Sequence, residues 1–394
     1  MHEFSGFLLR ASAIALLLQL GACGGRYDIG DRAEGGANAS GGSAGSARTS
    51  EASGGASGKV GESRGSGGSV ASGGSSVTGT GGDGAGGASC ANYQVDASML
   101  AYGTLAAPEV ANERIRLLLS DGMAGPFPAP PDAVTPGWAA QTVDAYLDSM
   151  LLSDLVPGGV ERFMRSWLGL HDANVAQTLI TSSGASFTRA DGTFSQLIAP
   201  TEGTGLLQDP ALNRVHTSIS NRGAFLFPTL FCSTLVPPIN TGDITGPIMG
   251  TPTLTRRQVL ASVTSAPACA GCHNFVDSVG ASLEVIDPTT GARRSVDENG
   301  LSIDASGTLS TVGISNFGRT YTFTSIDDLA PELASSCEVA RCFVTSYVNE
   351  GTAALGLPAL GNDELEFVIT RFSDSHFSLR ELARAFVQTP TFLE

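Results

Sequence analysis

The segment that most constrains this chain is Cys269-Ala270-Gly271-Cys272-His273, because nowhere else do three soft, reactive side chains fall within five positions. In a C-x-x-C-H segment the two thiols add to the two vinyl groups on one edge of a porphyrin, and the imidazole that follows is aimed at the iron. The spacing therefore predicts a covalently attached haem c, anchored by Cys269 and Cys272, with His273 as the proximal iron ligand.

Two other sites use the same residue types. A redox or structural C-x-x-C thiol pair normally lies in a βαβ pattern, and this chain shows none around Cys269. A zinc site needs a second close pair of Cys or His ligands, and the sequence has no such pair. Haem attachment is therefore the preferred interpretation, with zinc and a thiol pair as its alternatives.

Residues 1–22 are typical of a cleaved export signal. Arg10 precedes an apolar run from Ala11 to Leu20, which is too short to cross a bilayer as a folded span. The next residues, Leu20-Gly21-Ala22-Cys23, resemble a bacterial lipobox and predict acylation of Cys23; the alternative is an ordinary secretory signal. The residue after Cys23 is Gly rather than Asp, which implies sorting to the outer membrane.

Residues 23–89 are predicted to form the lipidated Cys and a disordered Gly/Ser linker. They contain mostly Gly, Ser and Ala, almost no large apolar side chain and no helical or strand period. The net charge of −16 comes almost wholly from the chain beyond this linker, where the cations are scattered Arg. Nucleic acid is therefore not an expected partner.

The remaining sequence predicts mostly helices, with two short strands at Leu301–Ile303 and Tyr321–Phe323 and turns at Asp287–Gly291 and Asp297–Gly300. Residues 121–138 are predicted to be loop, and residues 171–205 loop with short strands. The predicted helices are Pro108–Ser120, Thr142–Leu152, Val160–Leu170, Arg222–Phe231, Leu254–Thr264 capped by Thr253, one opened by a Ser335/Glu338 capping box, and Leu379–Gln388 capped by Ser378.

Several fragments resemble the planctomycete-type cytochrome c domain proteins, exported bacterial proteins of mostly undefined function. The resemblance runs from about residue 140 to the end. It rests on Phe163-x-x-x-Trp167-Leu168-Gly169, on Arg222-Gly223 followed by Pro237-Pro238, on Cys269 to His273 followed by Asp277, Gly280, Glu284 and Asp287, on Ile303 to Gly307, and on Cys342-Phe343 with the final helix. One departure is Ser278, where the family has Pro.

Together these features predict a mainly α fold: a helical cytochrome c-like module with a small β insert and a helical C-terminal domain, preceded by the disordered tether. The predicted divisions are an N-terminal helical domain (90–221), a haem c-binding domain (222–310) and a C-terminal helical domain (311–394). The resemblance implies an exported haem c protein and supplies no substrate.

The identity of the sixth iron ligand is not decided by the sequence. A small soluble cytochrome c usually provides a Met after the attachment site, but the last Met of this chain is Met249. Downstream of the attachment site the sequence offers one imidazole, His376, which is therefore the candidate distal ligand. Met249, His171 and His216 lie upstream and are the other candidates.

Four Cys remain after lipidation and haem attachment, and in an oxidising envelope an even number predicts two disulfides. Cys337 and Cys342 are five positions apart on one predicted helix, where they cannot bond to each other. Two pairings are left, of which Cys232–Cys342 with Cys90–Cys337 is preferred; the alternative to disulfides is buried free thiols.

The sequence therefore predicts a haem c-binding electron-transfer lipoprotein of the cell envelope, whose partner is an unidentified redox protein. Two other functions are compatible with it. One is a haem peroxidase or oxidase-like subunit with an open iron site, and the other is a surface scaffold lipoprotein that holds no metal.

Overall fold

A computed structural model describes residues 90–120, 130–151, 158–170, 189, 191–199, 205–216, 218–233, 250–312 and 318–394. The protein is mainly helical in these segments, which confirms the predicted class. The export signal, Cys23, the linker up to residue 89, and the candidate ligands His171 and Met249 lie outside the described residues.

The described residues of the N-terminal part form five α-helices. They are α1 (Pro108–Ser120), α2 (Pro136–Leu151), α3 (Gly158–Trp167), α4 (Phe194–Ile198) and α5 (Pro210–Val215). The bounds of α1 are those predicted. The loop predicted through residue 138 is wrong at its end, because Pro136 suits the first turn of a helix and begins α2.

The prediction of loop and short strands in residues 171–205 is also wrong where the structure describes it. Thr193 and Gln196 form a capping box that opens the short helix α4. Five residues are too few for a helical period to be read from sequence.

In the central part, the residues that the structure describes form three α-helices and two paired strands. They are α6 (Ile219–Phe231), α7 (Arg256–Thr264), α8 (Pro267–Ser282), β1 (Gly307–Ser310) and β2 (Thr320–Phe323), with β1 antiparallel to β2. Ser218 caps α6, which begins three residues before the predicted start, so the division predicted between residues 221 and 222 falls inside this helix. Thr255 rather than Thr253 caps α7, because Gln258 completes its capping box.

The predicted strand at Leu301–Ile303 is wrong. That segment forms one isolated bridge, Val296 to Ser302, and the strand lies six residues further on. Both predicted turns are present: Asp287 accepts hydrogen bonds from the amides of Thr289 and Thr290, and Gly300 closes the second turn at φ 78°.

Five more helices complete the chain. They are α9 (Ile326–Ala334), α10 (Cys337–Leu355), α11 (Asn362–Asp374), α12 (Leu379–Val387) and α13 (Pro390–Leu393). Ser378 caps α12 as predicted, accepting from the amide of Glu381 at 3.3 Å. The capping box predicted at Ser335 is wrong: Ser336 directly precedes α10 and makes no side-chain cap hydrogen bond, because its hydroxyl bonds to that of Tyr321 at 2.8 Å.

One cluster of buried side chains extends from Cys90 to Leu393 and includes residues of all three predicted divisions. Its centre is aromatic: Phe343 on α10 lies against Phe163, Trp167 and Phe194, with ring centroids 5.4, 4.9 and 4.6 Å away. In the described part of the chain, no helix is both long and apolar enough to span a membrane.

Candidate functional site

Helix α8 carries all three residues of the predicted attachment site. Pro267 occupies its first turn, where the missing N–H costs nothing and the fixed φ favours helix. With 3.6 residues per turn, Cys269, Cys272 and His273 occupy an arc of about 100° on one side of the helix. The two Cys are partly buried and His273 is 4% exposed. The helix therefore presents both thiols and the imidazole together.

The imidazole of His273 is held by a carboxylate one turn further along α8. Its Nδ1 lies 3.0 Å from both carboxylate oxygens of Asp277. A carboxylate oxygen that faces Nδ1 at this distance accepts its hydrogen, so in the neutral form of the ring Nε2 carries the lone pair. Nε2 is therefore the nitrogen prepared to bind a metal, which is the orientation that an iron ligand requires.

A second helix holds the carboxylate. Ser220, in the first turn of α6, donates its hydroxyl to Oδ1 of Asp277 at 2.7 Å, and its oxygen lies 3.4 Å from Nδ1 of His273. Asp277 and His273 are largely buried, with side-chain exposures of 16% and 5%. Hydrogen bonds in such an environment are stronger than in water. The three side chains form one connected group across two helices.

Two glycines allow α6 and α8 to cross at backbone contact. A Cβ on Gly223 would overlap the carbonyl group of Val276, and a Cβ on Gly280 would overlap that of Ile219. Any larger residue at either position would therefore push the helices apart. The close crossing places the first turn of α6, with Ser220, beside Asp277.

A buried ion pair also connects α6 to the end of α8. Arg222 of α6 is 2% exposed and donates to the carboxylate of Glu284, which is 4% exposed, just after α8. Arg222 also donates through Nε to the carbonyl of His216 at 2.8 Å, and Arg294 donates to the carbonyl of Glu284 at 2.8 Å. The charges are thus compensated, as buried charges must be.

These contacts give physical roles to residues that carry the sequence resemblance. Gly223 and Gly280 form the crossing, Arg222 and Glu284 form the ion pair, and Asp277 orients His273. From the sequence alone, Asp277 is recognised only as part of a motif. The i,i+4 spacing of His273 and Asp277 on a predicted helix was the signal that would have found the pair.

His216 lies at the end of α5, where its ring stacks on that of Phe225 at 4.2 Å. Burial, with a smaller contribution from the nearby Arg222, lowers the pKa of His216 to about 4. Its Nε2 is buried and has no hydrogen-bond partner among the described residues. The imidazole is therefore neutral at physiological pH.

His376 is exposed, in the turn between α11 and α12, with φ 57°. The helices on either side of it pack on each other, and α12 also packs on α2. Helix α8, which carries His273, packs mainly against α6, α7 and β1. The structure thus places the two imidazoles on different groups of helices, and the role of His376 as distal ligand stays a prediction.

The four remaining Cys form two disulfides. Cys90 is bonded to Cys337 and Cys232 to Cys342, with Cα separations of 4.9 and 5.3 Å. These are the two bonds of the preferred pairing. Cys232–Cys342 joins the end of α6 to α10, so it ties the helix that supports the site to the aromatic core.

Comparison with known proteins gives one family. Residues 204–297 match the model of the family PSCyt3, described as a protein of unknown function (DUF1588). The matched segment contains α5 to α8 and the turns that follow, so it includes the crossing of α6 and α8 and the C-x-x-C-H segment. This family is a planctomycete cytochrome c-type family. No curated protein and no solved structure gives a significant match.

The donor set of this segment fits haem c. Attachment needs two thiols on one side of a short segment and one imidazole as iron ligand, and α8 presents all three with the imidazole oriented by Asp277. Within the described residues, no group of three or more His, Cys, Asp or Glu side chains is arranged to hold a metal ion. A haem c site differs from such a group, because a single protein imidazole suffices.

Proposed function

We propose that this protein binds haem c covalently and transfers electrons in the cell envelope. The observation that supports the proposal is the orientation of His273 by Asp277 on the helix that also carries Cys269 and Cys272. When bound, haem c supplies one-electron redox chemistry. The residues of the chain supply attachment, orientation and burial.

Each residue of the site has one task. The thiols of Cys269 and Cys272 would form the two thioether bonds by adding to the vinyl groups, and Nε2 of His273 would bind the iron. Asp277 accepts the Nδ1 hydrogen and holds the ring, while Ser220 holds Asp277. The crossing of α6 and α8 at Gly223 and Gly280 keeps these groups at fixed distances.

The test is the visible spectrum of protein produced with a c-haem maturation system. We expect a haem-stained band that survives denaturing electrophoresis, and its loss when both Cys269 and Cys272 are replaced by Ala. Gly271→Ala serves as the matched control, because a Cβ there meets nothing within 4 Å. Wild-type protein without covalent haem would contradict the proposal and leave the metal-free scaffold.

A second candidate, a haem peroxidase or oxidase-like subunit, is favoured by the same Asp277 contact. A carboxylate that accepts from the iron ligand makes the imidazole a stronger donor, which stabilises oxidised iron. An open iron site would add ligand binding. A high-spin oxidised spectrum that shifts on addition of cyanide supports the enzyme, whereas a low-spin spectrum insensitive to cyanide supports electron transfer.

His376 is proposed as the distal ligand on the ground of its position in the sequence. Replacing His376 with Ala should then convert a low-spin haem to high-spin and leave covalent attachment intact. An unchanged low-spin spectrum would clear His376 and direct the search to His216, Met249 and His171. His216 deserves the first of these tests, since burial keeps its imidazole neutral and its Nε2 lacks a partner among the described residues.

The protein is further proposed to be an envelope lipoprotein, anchored through Cys23 and sorted to the outer membrane. Several acyl chains on one Cys anchor a protein stably. The partner is then a redox protein of the envelope that reaches the tethered domain. Cys23→Ser should release the protein from the membrane fraction; a mutant that stays membrane-bound would show that acylation at Cys23 is not the anchor.

A further inference from the structure

We propose that Asp277, clamped by Ser220 across the helix crossing, is the positioning residue that fixes His273 and lowers the reduction potential of the bound iron. This inference rests on the proposed haem c function and adds what sets the redox equilibrium. Asp277 on α8 and Ser220 on α6 would then act together on the reduction potential of the iron.

The first support is the geometry of the hydrogen bond. Both oxygens of Asp277 lie 3.0 Å from Nδ1 of His273, so the carboxylate faces the ring with both oxygens. A charged acceptor withdraws the Nδ1 hydrogen more strongly than a neutral carbonyl does. The ring then donates more electron density through Nε2, which favours ferric over ferrous iron.

The second support is burial. The His273 side chain is 5% exposed and the Asp277 side chain 16% exposed, so water screens the pair weakly. The charge of Asp277 therefore acts on the ring at close range in a medium of low effective dielectric constant. A surface carboxylate at the same distance would have a smaller effect.

The third support is the clamp. The Ser220 hydroxyl donates to Oδ1 of Asp277 at 2.7 Å and restricts rotation of the carboxylate. Ser220 belongs to α6, and the glycine crossing with α8 fixes its distance from Asp277. The orientation of His273 thus depends on the packing of two helices and not on α8 alone.

The experiment compares the reduction potentials of covalently loaded wild-type, Asp277→Asn and Ser220→Ala proteins. Asn keeps the shape and an acceptor oxygen and removes the charge, so Asp277→Asn should shift the ferric-to-ferrous equilibrium about tenfold toward ferrous iron. For a one-electron couple this is about 59 mV more positive. Ser220→Ala should shift it in the same direction by less.

Asp374→Asn is the control, because this exposed Asp lies on α11 and its loss changes the net charge equally. A second measurement uses the haem-free protein: in wild type, the nitrogen NMR shifts of His273 should report hydrogen on Nδ1. Asp277→Asn should increase the fraction with hydrogen on Nε2. This readout also serves if a loaded variant is not obtained.

The outcomes separate the two claims. Wild-type protein without covalent haem contradicts the proposed function. Covalent haem with the same potential in wild type, Asp277→Asn and the Asp374→Asn control overturns the role of Asp277 and leaves the haem function intact. A shift in Asp277→Asn with none in Ser220→Ala keeps the effect of the carboxylate and refutes the clamp.

Discussion

Replacing Gly280 with Ala tests the helix crossing that supports the site. The new Cβ would overlap the carbonyl oxygen of Ile219, and it would lie 2.7 Å from that carbonyl carbon and 3.1 Å from the amide nitrogen of Gly223, all backbone atoms that cannot rotate away. Optimal contacts between carbons are about 3.5–4.0 Å, so α6 and α8 must separate by at least roughly 1 Å. A gap of that size loses up to about half of the dispersion energy of each atom pair.

The expected cost follows from two opposing terms. Overpacking costs about 1–3 kcal/mol, and backbone obstacles place Gly280→Ala at about 3 kcal/mol. Ala is about 1 kcal/mol more favourable than Gly in a helix interior, which offsets part of that cost. We therefore expect the free energy of unfolding to fall by about 2 kcal/mol.

Gly271→Ala on the same helix gives the matched comparison. No atom of the described residues lies within 4 Å of its Cβ, so only the helix-propensity gain of about 1 kcal/mol applies. Urea unfolding followed by far-ultraviolet circular dichroism should separate the two variants by about 3 kcal/mol, which is roughly 1 M or more in the midpoint. Equal stabilities would show that the helices are not in contact at Gly280, and the reasoning would be wrong.

Three further predictions concern stability. Burial lowers the pKa of His216 from 6.5 to about 4. The free energy of unfolding should therefore be highest above pH 6.5 and fall by about 3 kcal/mol toward pH 4, because only the unfolded chain takes up the proton in that range. In His216→Phe this dependence of the unfolding free energy on pH should disappear. Glu284→Ala leaves the Arg222 guanidinium buried without its partner and should cost about 3–5 kcal/mol, seen as a lower urea midpoint. Cys337→Ser removes a bond that closes 247 residues of sequence and should cost about 2–5 kcal/mol; the double variant with Cys90→Ser should cost no more than either single change.

The helices that could be predicted were those with a long apolar face or a cap followed by one. Helix α1 and the cap Ser378 of α12 lie where the pattern placed them, because the hydrophobic period and the capping hydroxyl agree. The class of the fold followed from the same signals. Short helices could not be predicted in this way. Helix α4 is stabilised by its capping box and by packing, and it is too short to show a helical period in the sequence.

Errors at helix ends came from competing partners. Ser335 and Ser336 both offer a hydroxyl before α10, and the sequence cannot show that Ser336 bonds to Tyr321. Helix α9 contains Pro331, which reads as a break in sequence yet lies inside the helix. Tertiary contacts decide these cases.

The candidate site likewise has a part that the sequence predicts and a part that it does not. The attachment residues are local in sequence, so their spacing alone indicated their chemistry. Ser220 is 57 positions from Asp277 and Arg222 is 62 from Glu284, so their contacts depend on how α6 meets α8. The pairing of the four Cys was narrowed by helix geometry to two choices, and the positions of α6 and α10 decide between them.

The bond between Cys90 and Cys337 also determines how the domain would bear a mechanical load. Cys90 is the first described residue, and Arg341 donates to its carbonyl at 3.1 Å while holding Glu366 of α11. In the proposed tethered protein, a pull on the segment before Cys90 passes through a covalent bond directly into α10. Helix α1 and the segment leading to it are thereby bypassed by the load, which α10 passes on to the end of α6 through the Cys232–Cys342 bond.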